Sequence, residues 1–138
     1  MSELNLTELR LAIVKYWNVT PATLELRTAF SGGLWNRIAP HDAGLPRATY
    51  MIIDNIPNYS LGGDPTIETL RIQFDAWSGS TSIEVVANLT RLITKYFDDV
   101  KLTVTGINVI LFERVNVIPD RDEETNGHVD RIEYMVKM

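Results

Sequence analysis

The sequence predicts an α+β domain: a mainly antiparallel sheet of four to five strands, two main helices packed on one of its faces, and a long C-terminal β-hairpin. Three observations carry this expectation. A segment with strict two-residue alternation, Leu70 to Trp77, precedes a helix with a clean apolar stripe, Ile83 to Phe97. The chain closes with two β-branched segments, Ile107 to Ile118 and His128 to Met138, joined across an Asn126-Gly127 turn signal. Strands and helices in this order pack as two layers. The 138 residues suit a single domain over 1–138, and 45% hydrophobic residues suffice for a core.

The elements follow in order. Asn5 and Glu8 have capping-box spacing, and Leu4 and Leu9 stand where a hydrophobic staple would close. Leu6, Leu9, Ile13 and Tyr16 make a helical stripe, but Leu11, Val14 and Trp17 lie off it. A helix apolar nearly all round is either fully buried or packs on a second surface. Leu11, Val14 and Trp17 are therefore candidates for a subunit interface, with burial in the core as the alternative. Thr20-Pro21 reads as N-cap and first residue of a short helix reaching about Phe30, ended by Ser31-Gly32-Gly33.

Leu34 to Ile38 reads as a short strand and Ala48 to Ile56 as a buried one. Pro57 to Pro65, rich in glycine and proline, reads as a long turn region. In the next strand Leu70, Ile72, Phe74 and Ala76 alternate with Arg71, Gln73, Asp75 and Trp77. Trp77 thus falls on the polar face, as a candidate interface anchor or a lid on the end of the sheet. Gly79 breaks this strand, and Thr81 with Glu84 has capping-box spacing before the helix. If the strands on either side of that helix are parallel neighbours, their crossover is expected to be right-handed.

Chemistry is thinly represented. No cysteine is present, which excludes disulfides, thiolate nucleophiles and Cys-type zinc sites, and suits a reducing compartment. The glycine pair at 32 and 33 has no following lysine, so the P-loop spacing is missing. His41 and His128 lie near Asp42 and Asp130, so a small hydrolase using either histidine is the enzymatic alternative; no nucleophile-elbow motif supports it. Asp120, Asp122, Glu123 and Glu124 could hold a hard cation, but Arg121 and the absent glycine break the EF-hand pattern. A solvated hairpin tip is the plainer expectation, and no metal or cofactor is assigned. Solvated turn carboxylates also lack the raised pKa that glycoside hydrolysis requires. A net charge of −5 with no Lys/Arg cluster argues against tight duplex binding. No apolar run is long enough for a membrane helix, and the acidic start does not look like a signal peptide.

Several segments together resemble the tail terminator, or tail completion, proteins of long-tailed bacteriophages. They are the N-terminal helix, Leu34-Trp35-Asn36-Arg37-Ile38-Ala39-Pro40, the strand at Ala48-Thr49-Tyr50-Met51-Ile52, Leu70 through Asp75-Ala76-Trp77 with its small-residue turn and helix, and Ile132-Glu133-Tyr134-Met135-Val136. Arg47-Ala48-Thr49 departs slightly from the family's proline-aromatic entry to the second strand. The resemblance implies a homohexameric ring that caps the tail tube and offers a surface to the neck. It implies a virion protein, assembled in the host cytoplasm, without enzymatic activity or cofactor. Implied partners are further copies of itself, the tail tube protein and a neck or head-completion protein. Genomic DNA would pass through without specific binding, and no membrane is involved. Asp120, Asp122, Glu123 and Glu124 are then candidates to line the lumen or an axial surface, where negative charge would repel phosphate. Another connector component, neck, head-completion or tail tube subunit, is the nearest alternative.

Overall fold

The computed structural model describes residues 6–40, 42–59, 65–104 and 107–137. It contains α1 (Leu6–Asn18), a 3₁₀ turn (Pro21–Thr23), α2 (Leu24–Ala29), β1 (Leu34–Asn36), β2 (Arg47–Tyr59), β3 (Pro65–Trp77), α3 (Ile83–Phe97), β4 (Lys101–Val104), β5 (Ile107–Arg121) and β6 (His128–Lys137). The strands form one six-stranded sheet in the order β1-β2-β3-β6-β5-β4. The class is α+β as expected. The sheet has more strands than expected, and it is mixed, because β1 runs parallel to β2. All the other pairs are antiparallel.

One face of the sheet carries the core. Tyr50, Phe74 and Ile132 occupy one row, Ile72 pairs with Tyr134, and Leu70 with Val136 and Phe112. Against this face pack Leu9, Ile13 and Trp17 of α1, Leu26 of α2, and Leu89, Ile93 and Phe97 of α3. Phe97 is the hub: its ring lies 4.6 Å from Phe74, 5.2 Å from Tyr16, 5.6 Å from Phe112 and 6.3 Å from Tyr134. Several of these pairs are edge-on or tilted, the geometry that favours aromatic attraction.

The second helix starts where expected, with Thr20 at the N-cap and Pro21 as the first residue, but its first turn is 3₁₀ and its capping differs. Thr20 makes no side-chain cap bond. Instead the Thr23 hydroxyl donates to the Tyr16 carbonyl at 2.6 Å, and Arg27 Nη1 donates to the carbonyls of Trp17 and Thr20, each at 2.9 Å. A buried threonine and an arginine thus satisfy the orphan carbonyls at the end of α1. The capping box at Thr81 and Glu84 also gives way, since α3 begins after Ser82, which makes no side-chain cap bond. The box proposed at Asn5 lies outside the described residues.

Two expected turns are strand. β2 continues through Pro57 to Tyr59 and β3 begins at Pro65, so the two ends of the expected turn region are strand, while residues 60–64 between them lie outside the described residues. β5 continues through Pro119 and Asp120 to Arg121. Proline is tolerated at these places because, among the described residues, no strand pairs with the outer edges of β2 and β5 there. β3 precedes α3 and β5 follows it after the short β4; β3 and β5 run parallel, but β6 is inserted between them, so they are not neighbours.

Candidate functional site

The outward face of the sheet carries a lattice of charged and polar side chains, and no helix packs on it among the described residues. Alternation along β3 points Arg71, Gln73, Asp75 and Trp77 to this side, opposite Met135, Glu133, Arg131 and Val129 of β6. Arg131 bridges two carboxylates: Nη1 donates to Asp75 at 2.8 Å, and Nε and Nη2 donate to Asp120 at 3.0 and 2.9 Å. Gln73 donates a further bond to Asp75. Asp75 is only 4% exposed, and burial pushes its carboxyl above the ordinary range although Arg131 and Gln73 pull the other way. Asp120 shifts downward, chiefly because it accepts the Arg121 backbone N–H and then because of Arg131. Arg71 pairs with Glu133 at 2.7 Å and Lys137 with Glu113 at 3.3 Å. Charges on this face are largely neutralised by one another.

The four hairpin carboxylates therefore divide in two. Asp120 is held by Arg131. Asp122 is buried and builds the turn, accepting the Glu124 N–H at 3.1 Å and the Thr125 hydroxyl at 2.9 Å. Asn126, at φ 58°, takes the left-handed conformation that closes it, as an Asn-Gly pair allows. Glu123 and Glu124 are exposed. Glu124 and Thr125 reach the rim of an open depression of about 520 Å³, whose other walls include Ile38, Pro40, Leu45 and Arg47. Among the described residues no three His, Cys, Asp or Glu side chains are grouped to hold a metal ion.

The structure sorts the interface candidates. Trp17 is 1% exposed and sits in the core against Phe30, so its own burial removes it from any surface. Val14 is partly buried against the same core. Leu11 is 56% exposed and open to a partner. The reason is angular: Leu9, Ile13 and Trp17 define the buried stripe, a set the flanking apolar residues concealed in the sequence. Trp77 is half-buried, its indole N–H donating to the Thr49 hydroxyl at 3.0 Å and its ring lying under the Arg47 guanidinium at 5.8 Å. It closes the end of the polar face rather than standing free on it.

The histidine alternative finds no assembled triad among the described residues. His41 lies outside them. The His128 Nε2 is 3.2 Å from the Thr81 carbonyl. Nearby Ser78 donates its hydroxyl to the backbone carbonyl of His128 at 2.7 Å, not to the ring, and Asp130 accepts the Thr90 hydroxyl at 2.6 Å. Nucleophile, base and orienting acid are thus each engaged elsewhere.

Sequence reasoning expected surplus apolar surface on the first helix but missed three exposed apolar residues elsewhere. Trp35 (37%) and Ile118 (40%) are exposed at opposite margins of the sheet, and Ile38 is 83% exposed beside the depression. Their alternation places Trp35 and Ile118 on the outward face, a signal readable only once the strand register is known.

No protein-family profile matches the chain, and no curated protein matches its sequence. Its fold is similar to that of a solved chain from the virion of a native gene transfer agent particle. The TM-score is 0.60 at 10% sequence identity, over 94% of this chain and 91% of the other. At that identity the likeness is one of fold.

Proposed function

We propose that this chain is a structural protein of a phage-like particle, and that within it the chain forms a ring at the head-proximal end of the tail tube. The ring would end tube polymerisation and present the joining surface to the neck. The observation that carries this is the near-complete fold match to a virion chain, 94% against 91% coverage, taken with the segments that resemble tail terminators. A ring of like copies needs two different complementary patches on each subunit. Leu11, Trp35, Ile38 and Ile118 supply exposed apolar surface for such patches.

The partners are further copies of the chain, six in the terminator reading, together with the tail tube protein and a neck or head-completion protein. DNA would pass the ring without specific contact. Among the described residues, Glu123 and Glu124 are the unpaired hairpin carboxylates that would face the lumen or an axial surface; Asp120, also exposed, is paired with Arg131, and Asp122 is buried in the turn. A ring structure with this hairpin on the outer rim would remove that assignment.

Deleting the gene from its phage and imaging the particles tests the termination role. Overlong tails or free tube polymers are the expected outcome. Normal-length tails beside unattached heads would instead assign a joining role, as for a neck or head-completion subunit.

A further inference from the structure

The two margins of the sheet are incomplete in matching ways. At one margin β1 lies beside β2 only at Ala48, Thr49 and Tyr50, and the Arg37 N–H adds a bond to the Tyr50 carbonyl. Beyond it, among the described residues, no strand pairs with the outer edge of β2 over 51–59. At the other margin β4 lies beside β5 over 107–111, and Phe112 bonds the backbone at Asp99 and Val100. Beyond it no described strand pairs with the outer edge of β5 over 113–121.

The register fixes the levels of these gaps. One row across the sheet reads Trp35, Thr49, Asp75, Arg131, Ile118. Another reads Leu111, Lys137, Thr69, Ile56. β1 therefore stands level with the free part of β5, and β4 level with the free part of β2. The two short strands fill complementary halves of one strand position. Directions agree as well: β2 and β5 run oppositely, and β1 runs with β2, so β1 would lie antiparallel to the β5 of an adjoining copy.

Side chains match at the same place. Residues paired across strands share a face, so Trp35 and Ile118 stand on the outward face at the two ends of one row. Both are exposed, and the middle of their row is the Arg131–Asp75 ion pair. Brought together, they make an aromatic and β-branched cross-strand pair, a combination that stabilises antiparallel sheets. Free backbone donors and acceptors along such an edge bind a further strand.

We propose that copies of this chain join head to tail through this notch. β1 of one copy lies against the β5 edge of the next, with Trp35 opposite Ile118. β4 of the second copy then fills the place beside β2 of the first. Two different margins meet, so the contact repeats from copy to copy and closes as a ring when the rotation allows. The proposal rests on the reading of the chain as a repeated virion subunit, and names the joint.

The absence of native cysteine makes a clean test. Trp35→Cys combined with Ile118→Cys is oxidised at a concentration where the wild-type chain assembles, judged by electron microscopy and mass in solution. A disulfide-linked ladder of multimers is expected, because directly paired strand residues lie within bridging distance. Leu34→Cys with Ile118→Cys points to opposite faces and is expected to give none. Assembly of the first variant without cross-linking overturns the proposal, as does a wild-type chain that stays monomeric at millimolar concentration. Should Trp35→Cys prevent folding, Ile118→Lys alone is used: its unfolding temperature should match wild type while the concentration needed for assembly rises about ten-fold or more. Unchanged assembly of that variant also overturns the joint. A chain found in purified particles but not cross-linked leaves the virion assignment standing; a chain absent from particles removes that assignment whatever the cross-link shows.

Discussion

The two faces of the sheet solve the same problem with opposite chemistry. The inner face is dry: Phe74, Phe112, Ile132 and Tyr134 are fully buried beneath Trp17 and Phe97. The outer face buries Asp75 and Thr49 with no helix of the described residues over them, by hydrogen-bonding them to the neighbouring Gln73 and Trp77 side chains. On the first face each residue acts through shape and apolar area. On the second, each acts through a partner, so removing one member leaves another unsatisfied. The inner face decides whether the chain folds, and the outer face what it can lie against.

Substitutions should separate these behaviours. Phe97→Ala removes the hub of the aromatic cluster and is expected to lower unfolding free energy by about 3–5 kcal/mol, measured by denaturant titration. A loss below about 1 kcal/mol would mean that the cluster is not the centre of the core. Asp75→Ala on the outer face should cost roughly 2 kcal/mol, less than a lone buried pair, because Arg131 keeps Asp120. With Arg131 also changed to Ala the carboxylate is buried without its counter-charge, so Asp75→Ala should no longer destabilise and should reverse sign if the charge persists, a coupling that Phe97 would not show.

Tyr134→Phe keeps the ring in the core but removes the 2.7 Å hydrogen bond to Asp98, for about 1 kcal/mol. Arg71→Ala breaks an ion pair whose arginine is over a third exposed, and should cost at most about 1 kcal/mol, falling with added salt.

Acid titration distinguishes the two carboxylates that share Arg131. Asp120 is held below its ordinary value, so its stabilising contribution is present above that value and is lost as pH falls through the folded one. Asp75 is held above it, so the folded state retains its proton more tightly than the unfolded chain. Its contribution is fully present below the ordinary carboxylate value and is lost as pH rises through the folded one. The stability gap between wild type and Asp120→Asn should therefore narrow on acidification. A gap that widens would contradict the assigned pairing.

Much of the fold was legible because period reports burial. β3 alternates cleanly, and Leu70, Ile72, Phe74 and Ala76 are all at 0% exposure. Of the expected α3 stripe of Ile83, Val86, Leu89, Ile93, Tyr96 and Phe97, the structure buries Val86, Leu89, Ile93 and Phe97, while Tyr96 is partly buried, Ile83 is exposed at the helix start and Leu92, off the stripe, is buried. β4 escaped notice, being four residues long with an alternation too short to count. Pro57 and Pro119 read as turn because local propensity knows nothing of edges. The candidate surface was less legible: Trp17 and Leu11 look alike in sequence, yet one is buried and the other exposed. The Trp35–Ile118 row joins residues from the two ends of the sheet, and no local pattern encodes such a row.

One feature of the topology bears on when the molecule can exist. β6 stands in the middle of the sheet, between β3 and β5, yet it follows every other described strand along the chain. While the nascent chain emerges from the ribosome, β3 and β5 must wait with their facing edges open until that last segment arrives. Folding is thus completed after translation of β6, through contacts distant in sequence, which form slowly. Copies truncated before His128 would lack the strand that places Ile118 in one row with Trp35. If copies join as proposed, prematurely ended chains would lack a complete joint.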